Sequence, residues 1–251
     1  MNHMKIQSNR VLVQIGTNDG ADEFNRICRH SMPSMVILVE PNKLHNPSIS
    51  TQYELVKNVH IENVAITDVE KGIVTLVIPK NKGYSAVHFS LLPMDDWGDD
   101  FEKIEAPSMT FSKLCEKYGI SRIHYLQTDT EGFDTEIIKT IDFDKIEIDI
   151  IKYEKWTFPT DSFSRHGEKA NSYGLAGMEY VSALLKSKGY VLFDDEADIL
   201  ATNQRLLVLR MRMSILAKKA KAVLTKRRIY AYFISFSKRA SNFLRSRRKP
   251  N

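Results

Sequence analysis

A chain of 251 residues that is 43% hydrophobic and 27% charged can bury one α/β core and leave a tail over. Cys28 and Cys115 have no C-x-x-C spacing and sit on apolar helical stripes, which argues against a disulfide framework or zinc site and predicts a reducing, cytoplasmic setting. The net charge of +5 is split along the chain: residues 205–251 hold 15 Lys or Arg and no acid, which leaves 21 basic against 31 acidic groups in the first 204.

The amino terminus, MNHMKIQSNR, contains no apolar h-region, and no window reaches 18 uncharged apolar residues, so neither a signal peptide nor a transmembrane helix is predicted. Residues 1–10 read as an arm, 11–204 as one catalytic-sized domain and 205–251 as a basic tail. Residues 11–42, VLVQIGTNDGADEFNRICRHSMPSMVILVEPN, read as strand, glycine turn, short helix and second strand, with Glu40 twenty residues past Gly20. That is the layout of a nucleoside-binding βαβ unit. Gly16 and Gly20 bracket the turn, but Asn18 stands where a dinucleotide fingerprint has glycine for its pyrophosphate. A side chain there favours S-adenosyl-L-methionine (SAM) over NAD or FAD, with Glu40 accepting hydrogen bonds from both ribose hydroxyls. The alternative is a tight turn closing an ordinary strand-helix pair.

Residues 57–68 predict a third strand, GIVTLVIPK at 72–80 a β insertion, and 81–109 irregular chain. Thr110 is the expected N-cap of a helix with the stripe Phe111, Leu114, Cys115 and Tyr118, stopped by Gly119. A strand over 123–128 ends at Asp129, turns through Glu131 and Gly132, and feeds a helix carrying Ile137, Ile138 and Ile141. A strand at 146–153, a polar loop at 155–173 resembling a lid, a helix at 175–188 with Leu175, Met178, Val181, Leu184 and Leu185 inward, and the strands YVLF and DILAT complete the domain. This alternation predicts a Rossmann-like, doubly wound, mainly parallel sheet with its site at the carboxyl ends of the strands, followed by a basic helical extension.

Asp129 and Glu131 fall on the same rim as Gly16 and Glu40. Methyl transfer from a sulphonium is an in-line displacement in which the protein aligns the partners and can remove a proton from a hydroxyl nucleophile. The carboxylates suit both tasks, since they can accept the substrate proton or hold the cofactor's ammonium, which makes Asp129 a candidate for cofactor binding as well as catalysis. Glu131 as a cap on the next helix is the structural alternative. His166 in the polar loop is a candidate general base, with an idle surface histidine as its alternative. Glu154 at the next strand end reads equally as a functional group or an ion-pair partner, and Tyr84 and Ser85 could line a pocket. No H-E-x-x-H, G-x-S-x-G or P-loop occurs, and no structural metal is expected, although Asp129 and Glu131 could hold a divalent ion.

With these segments in place, the chain resembles the FkbM-type family of SAM-dependent methyltransferases. VLVQIGTNDG is similar to the family's first motif, ILVEPN to its second and NVAITD to its third. The stretch TFSKLCEKYGISRIHYLQTDTEGFDTEIIK resembles its most distinctive block, a capped helix and a strand ending in Asp-x-Glu-Gly. The resemblance, over residues 10 to about 204, implies that Gly16, Asn18 and Gly20 surround the methionine part of SAM. It further implies that Glu40 holds the ribose, Ala65 lies near the adenine, and Asp129 and Glu131 face the transfer site. Two positions depart from the pattern. Gln14 stands where many members carry an acid that contacts the cofactor's amino group, and can accept that bond without supplying charge; Thr128 stands where many have Lys. The resemblance also implies a hydroxyl oxygen as acceptor, on a saccharide, glycolipid or related metabolite.

The tail repeats Leu216, Ala220, Val223, Ile229, Phe233, Phe236, Ala240 and Phe243 at steps of mostly three and four, with basic residues around them, which predicts an amphipathic extension on an anionic membrane surface, at its cytoplasmic face. The bland alternative is a solvated, partly packed C-terminal helix or a disordered tail. A nucleic-acid methyltransferase or binder is the rival reading, with Tyr230, Tyr232 and Phe233 stacking bases beside Lys226, Arg227 and Arg228. The acidic catalytic part would repel such a polyanion. A non-catalytic scaffold of the same fold is a second rival.

Overall fold

The computed structural model describes residues 8–70, 72–79, 101–130, 133–155, 175–195 and 198–215. The chain divides into two compact units, Met1–Asn203 and Gln204–Asn251. In the first, a seven-stranded sheet is built from β1 (Ser8–Ile15), β2 (Pro33–Val39), β3 (Val59–Glu62), β8 (Tyr125–Thr128), β10 (Ile150–Glu154), β11 (Val191–Asp195) and β12 (Asp198–Thr202). Its order is β11-β12-β10-β8-β1-β2-β3. β12 runs antiparallel to both of its neighbours, and the remaining ladders are parallel. The order of strands reverses beside β1, so the crevice between the carboxyl ends of β1 and β8 is the topological switch point.

Period-two alternation distributes side chains to the two faces. Along β1 and β2, Val13, Ile15, Ile37 and Val39 enter one core, shared with α3 (Phe111–Tyr118), α4 (Asp134–Lys139) and α5 (Leu175–Ser187). Leu12, Val36 and Leu38 enter the other, with Phe24 and Cys28 of α1 (Glu23–Ser31) and Ile49 of α2 (Asn46–Gln52). The two cysteines are buried in opposite layers, where burial pushes both thiols up to about 12.

Several elements match their sequence signals. Thr110 caps α3 by accepting from the Lys113 N–H at 3.3 Å, and Gly119 ends it at φ 61°. Inside α5, Val181 and Leu185 are fully buried, and Met178 packs against the same core. Three expectations need correction. The stretch 57–68 is two strands, because after β3 the chain breaks at Asn63 and β4 (Ala65–Thr67) joins another sheet. That sheet, β4-β6-β5, pairs β5 (Ile73–Pro79) antiparallel with β6 (Phe101–Thr110), so residues 101–109, expected irregular, form a strand. Ile104 and Ala106 of β6 pack with Val74 and Leu76 across the ladder, a period hidden in sequence by the charges between them and by Pro107, a strand-breaking signal. Finally, the strands at 123–128 and 146–153 are each divided, and β7 (Arg122–Ile123) and β9 (Glu147–Ile148) form a ladder of their own.

Facing α1, the register places Gln14, Gln127 and Lys152 in one row across β1, β8 and β10. Lys152, 8% exposed, donates to Glu23 at 2.9 Å and pairs with Asp198 at 3.0 Å, tying the start of α1 to the β11–β12 hairpin. Burial alone lowers its pKa, but those carboxylates outweigh the effect and hold it above the ordinary lysine value.

Phe111 is 0% exposed at the first position of the capped helix. Phe111→Ala is expected to cost about 3 to 5 kcal/mol, read as a lower denaturant midpoint at unchanged slope. A loss under about 1 kcal/mol would contradict this packing.

Candidate active site

The β1–α1 turn begins where Gly16 (φ +81°) passes the end of β8. A Cβ there would lie 1.8 Å from the Asp129 carbonyl oxygen. The Gly16 and Thr17 N–H groups both donate to the Val39 carbonyl, at 3.0 and 3.1 Å, and the Asp129 N–H donates to Ile15 at 2.9 Å. Backbone therefore locks the ends of β8, β1 and β2 together. Gly20 (φ +77°) packs against α2, with a virtual Cβ 3.2 Å from the Tyr53 ring. Both glycines thus have a packing reason to be glycine, apart from any ligand.

Glu40 is 2% exposed just beyond β2. Its two carboxylate oxygens accept from the Asn18 N–H and the Asn42 N–H, each at 2.8 Å. One side chain thereby clamps the glycine turn to the loop after β2. Asn18 adopts φ 55°, a left-handed conformation that asparagine tolerates. Burial raises Glu40 from 4.5 to about 7, against the two backbone donors, which lower it. Asn63 extends the clamp: its amide donates to the Glu40 carbonyl at 2.9 Å and exchanges bonds with Asn46 at 2.9 Å. Ala65 follows, 4% exposed, packed against Val74, Leu76 and Ala106 in the smaller sheet.

Gln14 is 1% exposed, and its amide is occupied. It donates to Asp22, the N-cap of α1, and accepts from the Tyr53 hydroxyl at 3.4 Å. The carboxylate beside position 14 is therefore supplied by Asp22, and a second acid at 14 would be repelled by it.

Asp129 is exposed at the rim, next to Gly16. The turn behind it is held by Asp134, 1% exposed, which accepts from the Thr130 N–H at 3.1 Å and the Thr130 hydroxyl at 2.8 Å. Burial drives the Asp134 pKa up, and those bonds oppose the rise. Thr128 is buried at 2%, and Glu154 is half-buried at the end of β10. Glu131, Gly132, His166, Tyr84 and Ser85 lie outside the described residues. Among the described residues no group of three or more His, Cys, Asp or Glu could hold a metal ion. Sequence reasoning missed Asp134, Asn63 and Asp22. The last had a signal, an Asp just before a helix with Asn25 at the third helical position. The other two are recognisable only from their partners.

A cofactor with a ribose diol and an ammonium needs acceptors, and the turn offers them. Among the described residues, Thr17 Oγ1 and Asn18 Oδ1 are buried without a hydrogen-bond partner, and each Glu40 oxygen keeps a lone pair beyond its one backbone bond.

A doubly wound sheet with a glycine turn, a carboxylate after the second strand and an acid at the switch point defines a nucleoside-cofactor enzyme of the Rossmann-like class. The sequence profile described as Methyltransferase FkbM domain matches residues 14–192, and the chain belongs to that family, a SAM-dependent methyltransferase. No curated protein matches it. Among solved structures it is similar to a human protein described as methyltransferase 10 domain containing protein (8% identity, 81% of this chain and 76% of that one, TM-score 0.40). It is also similar to Aeropyrum pernix fibrillarin with natively bound S-adenosyl-L-methionine (11% identity, 78% and 67%, TM-score 0.36). Likenesses this distant carry no functional argument.

Gly16→Ala forces a Cβ into the Asp129 carbonyl at a φ that alanine resists. The expected cost is about 2 to 5 kcal/mol, visible as a lower thermal midpoint. Gly20→Ala, whose neighbour is a ring edge, should cost less, and the reverse ranking would contradict the backbone approach.

Proposed function

We propose that this methyltransferase acts on a hydroxyl oxygen of a saccharide, glycolipid or related metabolite. The observation that carries the reading is the exposed Asp129 carboxylate at the switch point, anchored by Gly16 on one side and the Asp134–Thr130 turn on the other. Glu40 would hold the ribose, and Thr17 and Asn18 would accept from the remaining donors of the cofactor. When bound, SAM supplies an electrophilic methyl group that an acceptor oxygen takes as the carbon–sulphur bond breaks. Asp129 then has two tasks that its position allows: aligning the acceptor hydroxyl and taking its proton as the oxygen becomes an ether. Glu131 and His166 are the other candidates for the proton. The surplus of acid in residues 1–204 supports a neutral acceptor over a polyanion. The 15 cations of residues 205–251 are the one observation behind a second reading, a nucleic-acid substrate.

Two experiments test this. Full-length protein with methyl-labelled SAM is offered panels of saccharides, glycolipids, RNA and proteins. Label is expected in sugar hydroxyls, and label only in RNA or protein would overturn the proposal. Asp129→Asn should lower kcat by about a hundredfold at saturating SAM. An unchanged kcat would remove Asp129 from the chemistry.

Glu40 supplies the pH signature. A carboxyl raised from 4.5 to about 7 stays protonated more readily when folded, so its contribution to stability is full below pH 4.5 and falls by about 3 kcal/mol as pH rises to 7. Ribose binding recruits the ionised form, so SAM affinity should rise about tenfold per pH unit up to about 7 and then level. Glu40→Gln should bind roughly 10 to 150-fold more weakly at pH 8 and lose this dependence, as measured by calorimetry. A wild-type profile that stays flat from pH 5.5 to 8 would show that Glu40 does not contact the ribose.

A further inference from the structure

The second unit opens with a helix, α6, over residues 205–215, which begins at Gln204 with the Val208 N–H donating to the Gln204 carbonyl at 3.0 Å. Leu206, Leu209 and Met213 are 63%, 58% and 60% exposed. Steps of three and four place them on one face of the helix. Arg205, Arg210 and Arg212 are exposed on the same two turns of chain, so cationic heads flank an apolar stripe open to solvent. The pattern continues in sequence through Leu216 and Ala220, and the 47 residues from Arg205 to Asn251 carry 15 cations and no acid.

We propose that α6 is a docking surface for an anionic lipid bilayer, with the Leu206–Leu209–Met213 stripe entering the headgroup–acyl boundary and the arginines pairing with lipid phosphates. Charge complementarity selects an anionic partner. The apolar stripe selects among anionic partners: a nucleic-acid backbone offers nothing to a row of leucine and methionine, whereas the interfacial zone of a bilayer takes in exactly such a face. Among the described residues no helix is long and apolar enough to cross a membrane, so the geometry is that of a helix lying in the interface. Guanidinium groups suit the role, since they bind phosphate in a bidentate fork and their stems reach over apolar surface. The residues 1–204, with their excess of acid, would be held off the same surface, leaving attachment to the tail.

The test is co-sedimentation of the full chain with vesicles of pure phosphatidylcholine and of phosphatidylcholine with one third phosphatidylglycerol, at about 0.05 and 0.3 M salt. Two full-length variants are compared, Leu206→Asp/Leu209→Asp/Met213→Asp and Arg205→Gln/Arg210→Gln/Arg212→Gln. SAM binding by calorimetry verifies that each variant retains the folded catalytic unit. Wild type should pellet with the anionic vesicles only, less at high salt. Each arginine is expected to contribute about fivefold to partitioning, so the glutamine variant should fall about a hundredfold. The apolar variant, with all 15 basic residues intact, should lose at least about tenfold. Equal recovery with neutral and anionic vesicles would overturn the proposal, as would an apolar variant that binds like wild type. So would binding of a 20-mer single-stranded DNA that exceeds vesicle binding and ignores the stripe, since it would assign the tail to nucleic acid.

Discussion

No side chain fits at position 16. The Asp129 carbonyl stands 1.8 Å from where a Cβ would be, and the carboxyl rim of the sheet is organised by that approach. Because β1 and β8 come this close at their ends, the Ile15 carbonyl can take the Asp129 N–H, and the two N–H groups after Ile15 can turn to Val39. The chain of contacts continues outward through Glu40, whose backbone N–H donates to Glu62 at 2.9 Å, and through Asn63, which returns a bond to Glu40. Four strand ends, β8, β1, β2 and β3, are thereby held in one rigid edge. Rigidity at such an edge is what a transfer reaction requires, since an in-line displacement loses rate steeply when its partners drift by an ångström.

Among the described residues, the ionisable groups buried around this edge include Glu40, Asp134 and Lys152, and each of these is tolerated for a different reason. Glu40 is held by two backbone donors from two loops, so its charge is offset by dipoles that cost nothing to reorganise. Asp134 satisfies one short turn through Thr130, holding in place the backbone that presents Asp129. Lys152 is kept charged by carboxylates from α1 and β12, which fixes the start of the helix that follows the glycine turn. Glu40 and Lys152 join segments far apart in sequence, whereas Asp134 closes a local contact four residues back, and all three border the switch point.

Elements whose determinants are local were legible in the sequence. The α3 cap, its stripe and its glycine stop lie within ten residues, so period and capping chemistry located that helix. The glycine turn and Glu40 were legible for a similar reason, since a βαβ unit is read within about thirty residues. β6 was not legible. Its apolar positions are sparse and interrupted by Pro107, and it becomes a strand by pairing with β5 on one edge and β4 on the other. The split at Asn63 was hidden too, because the cause is an amide reaching back to Glu40, twenty-three residues earlier.

Hydrophobic period, turn chemistry and charge, all encoded over short stretches, determined the layered α/β class, the place of the glycine turn, the identity of Glu40 and Asp129 as rim carboxylates, and the basic character of the tail. Only the tertiary structure decided what those residues touch. It assigned Gly16 to a backbone crossing, turned Gln14 toward Asp22 and Tyr53, and placed both Glu40 oxygens on backbone N–H groups. It also raised the Glu40 pKa to about 7. A side chain's type is a local property of the sequence, but its burial, and hence its hydrogen-bond partners and its charge state, depends on which distant segments fold against it.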